Sequence, residues 1–275
     1  ANPSIIAEHL DEAEEITKTL VETLSDGAVL SFGLESADPT VHENNWLNCN
    51  ASQLKSAIGL INKYGREKGK RGLPKLLPGL NFIAGLNGET SQTYQMNFDL
   101  LKQIKDEGHW LRRINLRQVE GLGFQEVNEA DFSKFKQRVR DDFDAKWLEE
   151  MLPVGQKLGK VWWESHDSRT RLPRHLDESC RVEEIRGKPG VSFGRQIGAY
   201  PILIGMPYLA PLESQSEVIV IGHGKRSITA VESQIPFKSA TMAQLRSIPG
   251  IGEKAAWRLV SDRAKRQSKK RSEPD

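Results

Sequence analysis

The sequence predicts an α/β domain, then a small β-barrel, then a helical hairpin. Over residues 1–152, segments with a helical period alternate with short apolar runs that end in glycine or polar residues. From residue 153 to 235 the pattern changes to short strand-like runs separated by glycine, proline and basic turns. Residues 236–265 return to helical periodicity, and 266–275 form a basic tail predicted to be disordered. Strands that alternate with helices indicate a parallel sheet with right-handed crossovers.

Composition places the chain among globular proteins. The 275 residues are 37% hydrophobic and 28% charged, and no apolar run is long enough to span a membrane. The N-terminus lacks the pattern of a secretory signal. Two cysteines, Cys49 and Cys180, are too few for a disulfide framework, so a cytoplasmic location is predicted. The first residue is not methionine, and we expect a fragment of a longer protein.

Seven elements are predicted in the α/β half. The helices are 11–24, 51–64, 90–107 and 130–151, and the strands are 28–34, 76–86 and 111–119. The third strand alternates, which places Arg113, Asn115 and Arg117 on one face and Ile114 and Leu116 on the other. Three parallel strands with an open edge make a poor independent domain, so we expect further strands from elsewhere in the protein.

The β segment and the hairpin carry basic residues. Strands are predicted at 155–163, 180–185, 191–193, 200–205, 218–221 and 227–231, a pattern typical of a small barrel. Arg195, Lys225 and Arg226 in its turns suit an RNA backbone, although ordinary solvated turns explain them equally well.

Helices 241–247 and 253–265 are joined by Ile-Pro-Gly-Ile-Gly, and this hairpin resembles the helix-hairpin-helix motif of nucleic-acid-binding proteins. Gly250 and Gly252 would expose backbone N–H groups to a phosphate, and Lys254 and Arg258 would add charge. The predicted core is Leu245, Ile248, Ile251, Ala255 and Leu259. The alternative is a structural hairpin that docks on another domain or subunit.

Polar residues lie on or directly after all three predicted strands of the α/β half. Glu35 and Ser36 end the first strand, Asn81 lies on the second, and Asn115 lies on the third. Carboxyl ends of parallel strands meet at one edge, where such sheets bind ligands. Taken singly, each residue is better explained as a cap or turn residue, and Pro39 after Ser36 fits that alternative, but the group as a whole favours a ligand.

Three segments resemble the fourth, fifth and sixth strands of radical S-adenosylmethionine (SAM) enzymes. They are F-G-L-E-S-A-D from Phe32, N-F-I-A-G-L-N-G-E-T from Asn81, and L-R-R-I-N-L-R-Q-V from Leu111. With a barrel that loosely resembles a TRAM domain and the terminal hairpin, the chain is similar to the C-terminal part of an archaeal-type radical SAM protein. The implied fold is the C-terminal half of a partial (β/α)6 barrel.

The resemblance implies a SAM site. Glu35 and Ser36 would line the pocket, Asn81 would contact the ribose, and Asn115 would lie near the adenine or the substrate. The remaining cofactor-binding positions would support the adenine and methionine ends and fix the turn: Ile83, Gly85, Gly88 and Glu89. Arg113 and Arg117 would meet an anionic substrate.

The chain departs from the family at two places. It lacks the C-x-x-x-C-x-x-C motif that holds the [4Fe–4S] cluster, so the ligands are expected outside this chain and the chain alone is expected to be inactive. No metal site is predicted within it. Some relatives carry an arginine for the methionine carboxylate near residues 43–46, where this sequence reads Glu-Asn-Asn-Trp, so that partner is unassigned.

The expected function is that of an enzyme which cleaves SAM with an electron from the cluster, delivered by an electron donor. The resulting 5′-deoxyadenosyl radical would abstract hydrogen from a nucleic acid, with RNA favoured over DNA and no role for a membrane. Two alternatives stay open. One is a non-catalytic nucleic-acid-binding or scaffold module, and the other is a radical SAM enzyme that acts on a small molecule or a protein.

Overall fold

The computed structural model describes residues 1–119, 121, 123–166, 190–198 and 200–271. The chain divides into two compact units. The first contains Ala1–Pro153 and Gly198–Pro201, and the second contains Val154–Ile197 and Ile202–Asp275. The strand predicted at 180–185 lies outside the described residues.

The first unit contains a parallel sheet of three strands in the order β1-β2-β3, which confirms the predicted α/β class. Its strands are β1 (Ala28–Glu35), β2 (Leu76–Ala84) and β3 (Arg113–Gln118). Its helices are α1 (Pro3–Glu8), α2 (Leu10–Thr23), α3 (Pro39–Asn45), α4 (Ala51–Gly65), α5 (Ser91–Asp106), α6 (Glu129–Val139) and α7 (Ala145–Met151). The single helix predicted at 130–151 is interrupted by a π-helical turn, Arg140–Asp144, between α6 and α7.

Two short helices were not predicted, and both begin with a local cap. Asn2 accepts a hydrogen bond from the Ser4 N–H before α1, and Asp38 accepts one from the Thr40 N–H before α3. A proline occupies the first turn of each helix, where its missing N–H costs nothing. Helices of six and seven residues are too short to show a hydrophobic period, so only the caps could have revealed them.

One face of the sheet forms the core of the first unit. Phe32, Leu80 and Ile114 lie side by side on the three strands and are completely buried. Farther along the same face, the Phe82 ring meets the edge of the Phe135 ring of α6, with 6.0 Å between centroids. This apolar face leaves the opposite face of the sheet to carry the polar residues.

The second unit contains a closed barrel, as predicted, and within the described residues it has five strands in the order β4-β5-β6-β8-β7. The strands are β4 (Lys157–His166), β5 (Ser192–Gln196), β6 (Leu203–Met206), β7 (Gln215–His223) and β8 (Ser227–Glu232). Trp163 fills the interior, and its indole N–H donates to the Ser216 hydroxyl at 2.8 Å. The strand predicted at 200–205 begins later, at Leu203, because Gly198–Pro201 belongs to the first unit.

The helical hairpin consists of α8 (Met242–Ser247) and α9 (Glu253–Arg271). Part of the predicted core is wrong: Ala255 and Leu259 are exposed, whereas Ala256 is buried and Val260 packs beside it. The Ala256 N–H donates to the Gly252 carbonyl, and this first turn sets the helix phase one residue later than predicted. The helix also continues to Arg271, so residues 266–271 are helical, where a disordered tail was predicted. No helix within the described ranges combines the length and apolar character needed to cross a membrane.

Candidate functional site

The sheet face opposite the apolar core carries small and polar residues. Gly33, Asn81 and Asn115 are register partners across the three strands. Gly79 and Arg113 form the pair two residues earlier on the same face. The side chains of Asn81, Asn115 and Arg113 are half-buried. Parallel strands are usually apolar on both faces because helices cover both sides. A row of amides and a guanidinium at this position therefore marks a candidate binding surface.

Hydrogen bonds order this row. The Asn115 amide donates to the Asn81 side-chain oxygen at 2.7 Å, and the Arg113 Nε donates to the Asn115 oxygen at 2.6 Å. The guanidinium carbon of Arg113 lies 4.7 Å from the centre of the Tyr200 ring. The sequence offered no signal for Tyr200, because its partner on β3 is far away in the chain.

Glu35 brings a carboxylate to the same row. A β-bulge separates Gly33 from Glu35, and Glu35 has a left-handed backbone with φ of 66°. Its side chain folds back over Gly33, where a Cβ would lie 2.6 Å from Oε1, so a larger residue at position 33 would displace the carboxylate from this position. The Oε2 atom is buried without a hydrogen-bond partner among the described residues. Burial raises the pKa of this carboxyl group.

Ser36, by contrast, serves the turn that follows β1. Its side chain is buried, and its hydroxyl accepts a hydrogen bond from the Asp38 N–H at 3.1 Å. Asp38 in turn accepts from the Thr40 N–H and from the Thr93 hydroxyl of α5. For Ser36, the alternative of a turn residue describes its contacts, and Glu35 is the polar group that reaches the row.

The glycine turn after β2 uses its polar groups internally. Gly85 and Gly88 have φ of 93° and 88°, which side chains rarely adopt. The Glu89 carboxylate accepts hydrogen bonds from the Gly85 N–H at 2.9 Å and from the Tyr94 hydroxyl. Gln125, which the sequence did not single out, accepts from the Gly88 N–H. These hydrogen bonds hold the shape of the turn, and the SAM-binding role of Gly85, Gly88 and Glu89 stays a prediction.

Two further predicted residues, Glu89 in the turn and Ile83 on β2, have distinct surroundings. Burial raises the pKa of Glu89 more than its hydrogen bonds lower it. Ile83 is half-buried and lies on the same strand face as Asn81, two residues away. Ile83 therefore offers an apolar contact beside the polar row.

The residues of this unit do not fit a [4Fe–4S] cluster. Cys49 is buried, and its thiol pKa is raised to about 11 by burial and by the nearby charge of Glu35. Cys180 lies outside the described residues. Within the described part of the chain, no group of three or more His, Cys, Asp or Glu side chains could hold a metal ion. A cluster would need cysteines from another part of the protein.

The basic residues proposed to bind substrate lie at different places. Arg117 is exposed at the end of β3. Arg195 on β5 forms an ion pair with Glu164 on β4. Lys225 and Arg226 are exposed in the turn between β7 and β8. The barrel residues are thus surface groups of the second unit, and Arg117 lies at the end of the same strand as Asn115.

The hairpin turn is open to its surroundings. Gly250 has φ of 88°, and a Cβ on Gly250 or Gly252 would meet no atom within 4 Å. Lys254 and Arg258 on α9 are exposed. Trp257 between them is 57% exposed. It was not among the predicted binding residues, although its spacing from Lys254 and Arg258 in a helix could have indicated it.

Comparison with known proteins finds archaeal relatives. No protein-family model matches the chain. It is 36% identical over 259 residues to an uncharacterized protein of Archaeoglobus fulgidus, an alignment that covers 90% of this chain and 45% of that protein. It is 35% identical over 240 residues to an uncharacterized protein of Methanocaldococcus jannaschii, covering 83% of this chain and 40% of that protein. The chain therefore spans less than half the length of these relatives.

Proposed function

We propose that the first unit binds SAM as part of a longer radical SAM protein that acts on a nucleic acid, with RNA favoured. The observation that carries this proposal is the row formed by Glu35, Asn81 and Asn115 on one face of a parallel sheet. In this proposal the three strands are the last strands of a partial (β/α)6 barrel. Their order in the sheet supports it.

The row offers groups that match SAM. Glu35 provides a buried carboxylate oxygen for an ammonium or hydroxyl group. The Asn81 and Asn115 amides offer donors and acceptors for a ribose or an adenine edge. Arg113 supplies a cation for a carboxylate, a partner that the sequence left unassigned. When bound beside a reduced cluster, SAM supplies a radical that abstracts hydrogen, and this chain's residues hold and orient it.

The cluster ligands would come from the rest of the protein. More than half of each archaeal relative lies outside the region matched by this chain, which leaves ample length for a cysteine motif. The SAM chemistry is therefore proposed for the whole protein, together with an electron donor. This chain would contribute SAM binding and nucleic-acid binding.

Calorimetric titration of SAM into the chain tests the first part. We expect binding that Asn81→Ala weakens about tenfold, because one half-buried hydrogen-bonding group is lost. Asn48→Ala is the matched control, since Asn48 is exposed on the segment between α3 and α4. Absence of SAM binding to a folded chain, or equal effects of the two variants, would reject this site.

The whole protein tests the chemistry. Reconstituted with its cluster and a reductant, the full-length protein should convert SAM to 5′-deoxyadenosine, detected by chromatography. Substitution of Glu35 by glutamine in that protein should lower product formation. A fully loaded cluster that yields no 5′-deoxyadenosine would contradict the radical SAM assignment.

A second candidate is a non-catalytic nucleic-acid-binding module. The open glycine turn and the exposed basic residues of α9 favour it. It predicts salt-dependent RNA or DNA binding without any affinity for SAM. The calorimetric titration separates the two candidates directly.

A further inference from the structure

One face of α9 combines an aromatic side chain with basic ones. At 3.6 residues per turn, five residues fall within an arc of about 100°. We call this face the outer stripe: Lys254, Trp257, Arg258, Ser261 and Lys265. Of the residues that pack in the hairpin core, Ala256 lies about 150° around the helix from the middle of this arc, and Val260 lies outside the arc. The outer stripe therefore points away from the hairpin's own core.

Trp257 is the central feature of the outer stripe. It is 57% exposed, and among the described residues its ring stacks on no other ring and on no cation. A tryptophan holds a large flat surface with few rotatable bonds, so it can bind a planar group at little entropic cost. Stacking on a nucleobase uses this surface directly.

The charges around Trp257 select a polyanion. Lys254 and Arg258 are exposed, and neither forms an ion pair with any residue that the structure describes. They lie three residues before and one residue after Trp257, on either side of its ring along the helix. The acidic residues of this part of the helix, Glu253 and Asp262, lie on its flanks outside the arc. Basic groups beside an aromatic ring fit a strand whose phosphates flank an unpaired base.

We propose that the outer stripe binds single-stranded nucleic acid, with a base stacked on Trp257 and phosphates contacting Lys254 and Arg258. This inference rests on the proposed nucleic-acid substrate and names its form. In a duplex the bases are paired and stacked inside, so the Trp257 ring could not meet a base face. An unpaired loop or end is therefore the expected substrate region.

Fluorescence anisotropy with a labelled single-stranded RNA of about ten nucleotides tests the stacking, at the site size typical of such proteins. With the whole chain, Trp257→Ala should weaken binding about five- to one-hundredfold, and Trp257→Phe should restore most of it. Leu259→Ala is the matched control, because Leu259 is an exposed apolar residue of α9 outside the outer stripe. Binding of a duplex of the same length should not change in Trp257→Ala.

The salt dependence tests the phosphate contacts. Lys254→Gln and Arg258→Gln should each reduce the slope of log affinity against log salt by about one. Lys134→Gln, an exposed lysine on α6, removes one charge elsewhere and should leave the slope unchanged. Equal slopes in all three variants would overturn the contacts.

The outcomes separate this inference from the proposed function. If the chain binds RNA but Trp257→Ala changes nothing, the outer stripe is rejected and nucleic-acid binding survives. If the chain binds no RNA at low salt, both fail, while the SAM titration still judges the first unit. A change of oligomeric state in Trp257→Ala without loss of RNA affinity would assign the ring to a second copy of the chain and overturn the proposal.

Discussion

At the residue scale, Glu89 is the carboxyl group whose environment most clearly controls local structure. It is almost fully buried and accepts hydrogen bonds from the Gly85 N–H and the Tyr94 hydroxyl. Its pKa is raised above the ordinary value of 4.5, chiefly by burial. The group therefore favours folding fully below that value, and this contribution is lost as pH rises through the folded pKa.

Tyr94→Phe should make the protein more pH-sensitive. The Tyr94 hydrogen bond lowers the Glu89 pKa, so its removal raises that pKa further and leaves one carboxylate oxygen without its donor. We expect the free energy of unfolding to fall by about 1–3 kcal/mol near neutral pH and by less at about pH 4, where Glu89 is protonated. Urea unfolding at both pH values measures the difference.

Tyr64→Phe is the control for that measurement. The Tyr64 hydroxyl bonds to the Glu14 carboxyl, which lies at the surface and whose pKa is lowered to about 2. Because the Glu14 carboxylate of the folded protein stays charged at both pH values, loss of this hydrogen bond should lower the free energy of unfolding by a small amount that is the same at both. A Tyr94→Phe effect as insensitive to pH as this control would contradict the buried-carboxyl explanation.

Glu35 is expected to lower the stability of the fold and to strengthen SAM binding. Glu35 and Glu213 both have left-handed backbones, with φ of 66° and 56°, but only Glu35 has a buried carboxylate oxygen without a partner among the described residues. Glu35→Gly should therefore raise the free energy of unfolding by about 1–3 kcal/mol more than Glu213→Gly does. The same Glu35→Gly chain should bind SAM more weakly in calorimetry. Equal gains in stability in the two glycine variants would show that burial of the Glu35 carboxylate does not destabilise the fold.

At the scale of elements, the strands were predictable because each is a short apolar run with a clear end. Gly85 ends the region of β2, and the alternation of β3 correctly placed Arg113 and Asn115 on one face. Asn81 and Asn115 were expected to meet at the carboxyl ends of the strands, whereas they meet as register partners within β2 and β3. Tyr200 could not be predicted, because its place over Arg113 depends on where a loop of the barrel segment folds.

The buried side of α9 was predicted wrongly for a different reason. Ala255 and Ala256 are chemically identical, so the apolar pattern cannot say which one faces the core. The turn at Gly250, with its positive φ, sets the first residue of the helix and thus the buried side. Local backbone geometry of this kind has no periodic signature in the sequence.

Aspartate scanning of this pair tests the observed phase. Ala256→Asp places a carboxylate in the small core beside Leu245 and should cost several kcal/mol, enough to unfold the hairpin. Ala255→Asp lies on the exposed side and should change stability by about 0.5 kcal/mol or less. Hydrogen exchange of α8 and α9 measures both. Loss of protection in Ala255→Asp but not in Ala256→Asp would mean that the predicted phase, and not the observed one, is correct, and equal protection in the two variants would contradict the burial of Ala256.

At the scale of the whole molecule, two ligands are proposed for two units, and each should leave its own footprint. SAM should slow amide hydrogen exchange at the carboxyl ends of β1 and β2 and along β3, where Glu35, Asn81 and Asn115 lie. Single-stranded RNA should slow exchange in the hairpin turn and in the first half of α9. A ligand present at about a hundred times its Kd stabilises the bound state by about 2.7 kcal/mol, so exchange limited by local opening should slow about a hundredfold. Mass spectrometry of peptic fragments resolves the two regions. Protection by SAM confined to the barrel and hairpin would contradict SAM binding by the first unit. Protection by RNA that leaves α9 unchanged would contradict RNA binding by the hairpin.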